Sequence, residues 1–238
     1  MKERDQVIMD ICGIYEKCST QAKEYLSKAQ KLKYYYEPGV AIIYCWFYSV
    51  PQRWHKIEPK IFELASMCRQ FDLQFMSEVQ IGDLSKKLRP FMFYNSLSVQ
   101  LKNFCKAIKR EFHTWELFER TLIGDSIFDI YRRMKAFKAI RLTFKNLSAM
   151  KIFVGGDENL LILDKHVAKI LRIGQSQLIK YKTNEYWFKK LLDFSSEINR
   201  ELRAKLFRDI TVAKWSLAIW FHESRISAKD LLPMIDSN

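Results

Sequence analysis

The chain has few of the residues that β-rich folds need for their turns, with 7 glycines and 5 prolines in 238 residues. Sandwiches, barrels and dinucleotide-binding α/β folds need tight turns, in which glycine adopts backbone conformations that other residues disfavour. No G-x-G-x-x-G or G-x-x-x-x-G-K sequence is present, which excludes a glycine-rich phosphate-binding loop of regular spacing. The scarcity of glycine and proline therefore predicts an all-α fold.

The chain also lacks an apolar run that could cross a bilayer. The longest such run, residues 39–50, has about 12 residues, whereas about 20 are needed. The first residues are charged and are not followed by the apolar region of a signal peptide. We therefore expect an intracellular protein that makes no use of a membrane.

Motifs for metals, clusters and disulfides are missing as well. None of the 4 histidines lies four residues from another, and no C-x-x-C pair occurs. We expect neither a metal nor another cofactor. The cysteines are odd in number and scattered at core-like positions, which favours reduced, buried side chains; they are Cys12, Cys18, Cys45, Cys68 and Cys105.

Aromatic residues and positive charge are abundant. The 17 Phe, 11 Tyr and 6 Trp exclude a disordered chain, because so many rings must be buried. The 40 Lys and Arg exceed the 27 Asp and Glu, which gives a formal net charge of +13. This excess favours an anionic partner, of which nucleic acid is the commonest. The alternative is a lysine-rich surface without a specific partner.

The spacing of apolar residues predicts a series of helices. We expect them over about residues 5–36, 40–50, 53–69, 94–112, 164–173, 184–207 and 211–224. Helices are expected to begin at the N-caps Asp83, Thr114, Asp125 and Asp164. Gly155-Gly156 is typical of a helix end. Together these signals predict one domain of about ten helices over 1–238, with an N-terminal helical extension at 1–36 and two lobes around a cleft.

A lysine and an aspartate stand out in the second half of the chain. Lys145 lies near the start of a predicted helix that ends at Gly155-Gly156, and a loop then leads to Asp164. One helix and one loop separate the two residues, so Asp164 can fold back towards the amine. An amine and a carboxylate in one cleft suit nucleophilic catalysis, the amine attacking and the carboxylate handling protons and cationic intermediates.

This segment resembles the helix-hairpin-helix superfamily of DNA glycosylases. It is most similar to the bifunctional 8-oxoguanine DNA glycosylase/lyases of archaea and some bacteria, which carry a catalytic lysine just after the hairpin. In that family an aspartate follows about 18–20 residues later, in a short I-x-D-x-H-[IV] motif. Lys145 takes the lysine position, and Asp164-Lys165-His166-Val167 takes that of the later motif. The likeness extends over about residues 40–225, with a hairpin and catalytic segment at about 130–173.

The resemblance implies base-excision repair of damaged double-stranded DNA by a monomer. The target nucleotide is flipped out of the duplex. Lys145 attacks C1′ of the deoxyribose and expels 8-oxoguanine, Asp164 stabilises the cationic sugar, and the resulting Schiff base undergoes β-elimination. The resemblance also implies base-pocket and DNA-contact residues. The pocket residues are Gln52, Trp54, Trp215, Ser216 and Trp220, and the DNA contacts are Lys138, Arg141, Thr143, Lys165, His166 and Lys169.

The sequence departs from the family at two places. The family hairpin has glycines in a G-[IV]-G pattern, whereas this chain has Arg141-Leu142-Thr143, so side chains of Arg141 and Thr143 would have to hold the phosphate. Ser216 stands where the family often has an acidic residue that recognises guanine. Three alternatives therefore stay open: the same fold acting on another damaged base, a non-catalytic helical nucleic-acid-binding protein, and a helical interaction module.

Overall fold

The computed structural model describes residues 2–49, 54–206 and 208–232, and over these residues the chain is entirely helical. It contains thirteen α-helices and three short 3₁₀ helices, and no strand occurs within these ranges. The all-α prediction is confirmed, with more helices than the ten or so expected. The chain divides into two compact units, one formed by the described residues of 1–30 and 156–238 and the other by 31–155. The single-domain organisation, with a separate extension at 1–36, stays a prediction.

The unit of residues 31–155 contains most of the helices. They are α2 (Pro38–Trp46), α3 (Trp54–Met67), α4 (Leu73–Glu78), α5 (Ile81–Lys87), α6 (Tyr94–Phe112), α7 (Trp115–Gly124), α8 (Ile127–Lys135) and α9 (Phe144–Phe153). Short 3₁₀ helices follow α2 at Phe47–Ser49 and α3 at Arg69–Phe71.

Helix α2 forms the centre of this unit, as its uniformly apolar sequence predicts. Every residue from Gly39 to Trp46 is buried. Helix α7 approaches α2 closely at Gly39, where a Cβ atom would lie 2.6 Å from Trp115 Nε1. The same Nε1 donates a hydrogen bond to the Phe71 carbonyl at 2.9 Å, which fixes the indole ring in place. A glycine is therefore required at residue 39 by the packing of α7 on α2.

The other unit is built from both parts of the chain. Its helices are most of α1 (Lys2–Tyr35), then α10 (Lys165–Ile170), α11 (Gln175–Thr183), α12 (Glu185–Leu206) and α13 (Val212–Ser224), followed by a 3₁₀ helix at Ala228–Asp230. Arg4 of α1 pairs with Glu197 of α12 at 3.1 Å, and Tyr25 stacks on Trp220 of α13 with ring centroids 6.2 Å apart. Helix α1 thus supplies core residues of this unit.

Long helices agree with their predicted ranges, but two predicted caps are wrong. Helix α5 begins at Ile81 after Gln80, so Asp83 lies in its first turn and pairs with Lys86 at 3.0 Å. Asp125 follows the last residue of α7, and Ser126 caps α8 instead, its hydroxyl accepting from Asp129 N. Serine and aspartate are both good N-caps, so tertiary packing decides between the adjacent residues Asp125 and Ser126. Thr114 and Asp164 cap α7 and α10 as predicted.

All five cysteines are free and buried, which confirms that they act as small core residues. Burial raises the pKa of Cys68 to about 11 and that of Cys45 further still, so neither thiol is a nucleophile near neutral pH.

None of the helices described here is both long and apolar enough to cross a membrane.

Candidate functional site

The loop between α8 and α9, residues 136–143, is the first part of the candidate site. Phe144, the first residue of α9, packs against Tyr131 of α8, with ring centroids 4.1 Å apart. Trp46 of α2 contacts the loop, because its Nε1 donates a hydrogen bond to the Ile140 carbonyl at 3.0 Å. The carbonyl of Trp46 in turn accepts a hydrogen bond from Asn146 Nδ2 at 2.6 Å. One buried side chain and its own backbone thus fix both the loop and the start of α9.

The loop backbone has left-handed geometry at two residues that are not glycine. Ala139 has φ of 55° and Arg141 has φ of 49°. Such values cost free energy for residues with a Cβ atom and are held only where surrounding contacts demand them. Arg141 is the residue that aligns with the first glycine of the resembled G-[IV]-G hairpin. The backbone therefore adopts a conformation that favours glycine at this position, although arginine occupies it.

Lys145 is the second residue of α9 and is half-buried. The helix begins with a capping box, in which Thr143 Oγ1 accepts from Asn146 N at 3.5 Å and Asn146 Oδ1 accepts from Thr143 N at 3.1 Å. This cap places the lysine at the N-terminal end of α9, directly after the loop, as predicted. The Thr143 hydroxyl also donates to Asn146 Oδ1 at 2.6 Å, so its role here is structural.

Basic side chains lie around the loop, and several loop residues line a shallow concavity. The concavity has a volume of about 220 Å³ and is lined by Tyr131, Lys135, Phe137, Ala139, Ile140, Arg141 and Leu142. Arg141 is half-buried and donates to Gln100 of α6 at 3.3 Å, and burial lowers its pKa. Lys138 is exposed. The Arg110 guanidinium lies 5.6 Å from the Phe137 ring, which brings this basic residue of α6 beside the loop.

Asp164 is the second part of the candidate site and belongs to the other unit. Only 8 % of its surface is exposed. It caps α10, with Oδ1 accepting from His166 N at 2.8 Å and Val167 N at 2.9 Å. Both cap bonds use the same oxygen, so Oδ2 is not needed for the cap. Lys145 and Asp164 are thus each placed in a defined local setting, and their predicted meeting in one cleft stays a prediction.

Sequence reasoning missed a lysine close to Asp164. Lys182 of α11 is half-buried; burial lowers its pKa, and the Asp164 carboxylate opposes that effect. No sequence signal indicates this contact, because α11 itself is not predicted. None of its residues is buried, so α11 lacks the apolar stripe by which an amphipathic helix is recognised.

Three of the predicted DNA-contact residues lie in α10. Lys165 is exposed and His166 is half-buried. Lys169 donates to Glu223 of α13 at 2.7 Å, and this hydrogen bond lowers the pKa of the Glu223 carboxyl. Of these three residues, Lys169 therefore already forms an ion pair within its own unit.

The expected base-pocket residues are mostly core residues. Trp215 is fully buried, and Ser216, with 1 % of its surface exposed, donates to the Ala213 carbonyl at 3.0 Å. Trp220 is half-buried against Tyr25. Trp54 is buried in the unit of residues 31–155, with its ring centroid 4.4 Å from that of Tyr48. Gln52 lies outside the described residues. Of the described members of this set, only Trp220 is partly exposed, and the base-pocket role of the set stays a prediction.

Among the described residues, no cluster of histidine, cysteine, aspartate and glutamate could hold a metal ion. Comparisons of the chain with protein-family models, with curated proteins and with solved structures gave no match.

Proposed function

We propose that this protein is a DNA glycosylase with lyase activity, of the helix-hairpin-helix type, which excises 8-oxoguanine from double-stranded DNA. The local setting of Lys145 is the observation that carries the proposal. Lys145 lies in the first turn of α9, immediately after a loop that Trp46 contacts and that has left-handed backbone at Arg141. That loop is flanked by exposed basic side chains, which suit an approaching phosphate backbone.

Two groups of the chain have assigned roles in the reaction. The neutral Lys145 amine forms a bond to C1′ of the flipped deoxyribose, and the bond from C1′ to the base breaks; the base departs with the electron pair and takes up the proton that the amine nitrogen releases. The bond from C1′ to O4′ then breaks, O4′ takes up a proton from water, and the open sugar is held as a protonated Schiff base. Loss of a proton from C2′ to water forms a double bond to C3′, and the bond from C3′ to the 3′ phosphate oxygen breaks, which cuts the strand. The carboxylate of Asp164 stabilises the cationic sugar, a role compatible with its cap because Oδ2 is not used there.

A cleavage assay tests the proposal on a duplex with one 8-oxoguanine. Wild-type protein should cut at the lesion, and Lys145→Gln should bind the duplex without cutting it. Asp164→Asn removes the charge but retains a good N-cap, so the fold should persist while the rate falls by at least tenfold, about 1.4 kcal/mol of transition-state free energy. Lys23→Gln, at an exposed position of α1, is the matched control and should cut like the wild type.

The principal alternative is a non-catalytic nucleic-acid-binding protein. The excess of positive charge and the basic side chains of Arg110 and Lys138 at the 136–143 loop favour it equally well. A panel of duplexes with other damaged bases separates the possibilities. Cutting at a different lesion that depends on Lys145 would indicate the same fold with another substrate. Binding without cutting of any duplex would support the non-catalytic alternative.

A further inference from the structure

Helices α11 and α12 meet at a surface where aromatic rings and lysines alternate, which the proposed function does not use. Only Asn184 separates the two helices. The rings of Tyr181 and Trp187 lie edge to face with centroids 6.0 Å apart, and those of Tyr186 and Trp187 do so at 5.6 Å. We call this surface the α11–α12 corner; it consists of Lys180, Tyr181, Tyr186, Trp187 and Lys190.

Two apolar side chains at this corner are widely open to solvent. Tyr186 has 59 % of its surface exposed, and neighbouring Ile179 has 65 % exposed, whereas Tyr181 and Trp187 are half-buried. Folded chains bury such side chains where they can, because each exposed apolar group forfeits free energy of burial. A widely exposed tyrosine ring that extends a cluster of three rings therefore indicates a surface that a ligand covers.

Lysine ammonium groups lie over the faces of these rings. Lys190 Nζ is 4.5 Å from the centroid of Tyr186 and 5.4 Å from that of Trp187, and Lys180 Nζ is 5.6 Å from the Trp187 centroid. Within the described chain, Lys180 and Lys190 form no ion pair. Their charges are held by ring contacts alone and remain available to an anion.

The local charge balance is strongly positive. Residues 179–190 contain four lysines and a single acidic residue, the half-buried Glu185. Asp193 is the next acidic residue along α12, and the Asp164 carboxylate acts to raise the pKa of Lys182. A ligand for this corner must therefore be anionic and must also present flat faces to the rings.

An unpaired nucleic-acid strand meets both requirements. Its bases expose their flat faces, whereas the faces of bases in a duplex are covered by their neighbours, and its phosphates follow at short intervals. Stacking on tyrosine and tryptophan combined with lysine–phosphate contacts is the usual way in which proteins hold single strands without sequence preference. A membrane surface fits less well, because aliphatic side chains are few here and Ile179 is the only one within residues 179–190 that is widely exposed.

We propose that the α11–α12 corner binds single-stranded nucleic acid, with a base stacked on the widely exposed ring of Tyr186 and phosphates held by Lys180 and Lys190. The proposal does not rest on the proposed glycosylase activity, since its residues and its ligand differ from those of the excision reaction. The ligand proposed for this corner is a single strand, whereas the ligand proposed for the 136–143 loop is double-stranded DNA.

Fluorescence anisotropy of a labelled thymidine oligonucleotide of about twelve nucleotides tests the proposal with the full chain. Tyr186→Ala should weaken binding by about tenfold, and Tyr186→Phe should retain it, since stacking needs the ring and not the hydroxyl. Because Tyr186 is widely exposed, neither change removes core packing. Lys190→Gln should weaken binding and make it less dependent on salt.

Tyr34→Ala is the matched control. Tyr34 is 76 % exposed, and Lys33 Nζ lies 5.4 Å from the centroid of its ring. In contrast to Tyr186, its ring packs against no other aromatic ring of the described residues. This variant should bind the oligonucleotide like the wild type. Equal binding by Tyr186→Ala and the wild type would overturn the proposal. So would a wild-type protein that binds phosphatidylserine vesicles but not the oligonucleotide.

Discussion

Single residues in this chain carry several roles at once. Asp164 caps a helix, lies near Lys182 and is the proposed stabilising carboxylate. Trp46 fills the core, holds the 136–143 loop with its indole and holds Asn146 with its carbonyl. The sequence could indicate Lys145 and Asp164, because their spacing and neighbours form a motif. It could not indicate that Trp46 holds the start of α9, because Trp46 and Asn146 are 100 residues apart in the chain. Nor could it indicate that the Asp164 carboxylate acts on the pKa of Lys182, because α11 is not predicted.

The first prediction concerns the ion pair between Lys169 and Glu223. The folded state lowers the pKa of Glu223, mainly through the hydrogen bond from Lys169, so the pair adds stability above the unfolded value of about 4.3. That stability is lost as the pH falls through the folded value. Lys169 is 67 % exposed, so solvent screening limits the effect to about 0.5–1 kcal/mol. Glu223→Gln should lower the free energy of unfolding by this amount at about pH 7.

Urea denaturation at about pH 7 and again well below pH 4 measures the effect. The difference between Glu223→Gln and the wild type should shrink towards zero at the lower pH, because Glu223 is then protonated in both states. Asp83→Asn, in a pair whose partners are 70 % and 58 % exposed, should show a smaller difference at both values. A difference for Glu223→Gln that persists at low pH would show that the charge is not its source.

Whole elements follow the sequence where apolar side chains recur with the helical period. Helices α1, α6, α12 and α13 agree with prediction, because each buries a stripe of residues against its own unit. The short helix α4 and helix α11 do not, since few or none of their residues are buried. The two wrong caps have the same cause: a polar residue signals a helix start only to within a few positions, and packing selects the position used.

The second prediction concerns the close approach of α7 to α2. Gly39→Ala places a Cβ atom 2.6–2.9 Å from ring atoms of Trp115, whose indole is also fixed by its hydrogen bond to Phe71. The ring cannot move without breaking that bond, so we expect a loss of about 2–3 kcal/mol in the free energy of unfolding. Chemical denaturation followed by circular dichroism measures it.

Gly13→Ala is the matched control for this change. Gly13 also lies within a helix, but nothing is found within 4 Å of its ideal Cβ position. Alanine is the better helix former, so this variant should be more stable than the wild type by about 0.5–1 kcal/mol. Two Gly→Ala changes of opposite sign would confirm that packing, and not helix propensity, decides the effect at residue 39. A neutral or stabilising Gly39→Ala would contradict the described packing of α7 on α2.

At the scale of the molecule, excess charge and helical architecture could both be predicted from composition. The all-α fold follows from the scarcity of turn residues, and the net charge of +13 from simple counting. The residue ranges of the two units could not be predicted, because one unit joins residues before 31 with residues after 155. Composition contains no information on such long-range pairing.

The third prediction concerns the salt dependence of binding to undamaged duplex DNA. Each lysine–phosphate contact that releases a counterion contributes about −0.9 to the slope of log K against log salt concentration. If the 136–143 loop binds DNA, Lys138→Gln should make the slope about one unit less steep, since Lys138 is exposed beside that loop. Anisotropy titrations over a range of salt concentrations measure the slope. Lys23→Gln should leave it unchanged, and an unchanged slope for Lys138→Gln would remove Lys138 from the interface.

The central claim is that Lys145 is the nucleophile of a Schiff-base lyase. It is tested most directly by borohydride reduction of the protein on a duplex with one 8-oxoguanine, followed by peptide mass mapping of the covalent adduct. The account predicts an adduct on Lys145 that is absent with undamaged duplex and absent in Lys145→Gln. An adduct on Lys182, the other lysine placed beside a candidate catalytic group, would contradict the assignment, and no adduct on any damaged duplex would contradict the lyase function itself.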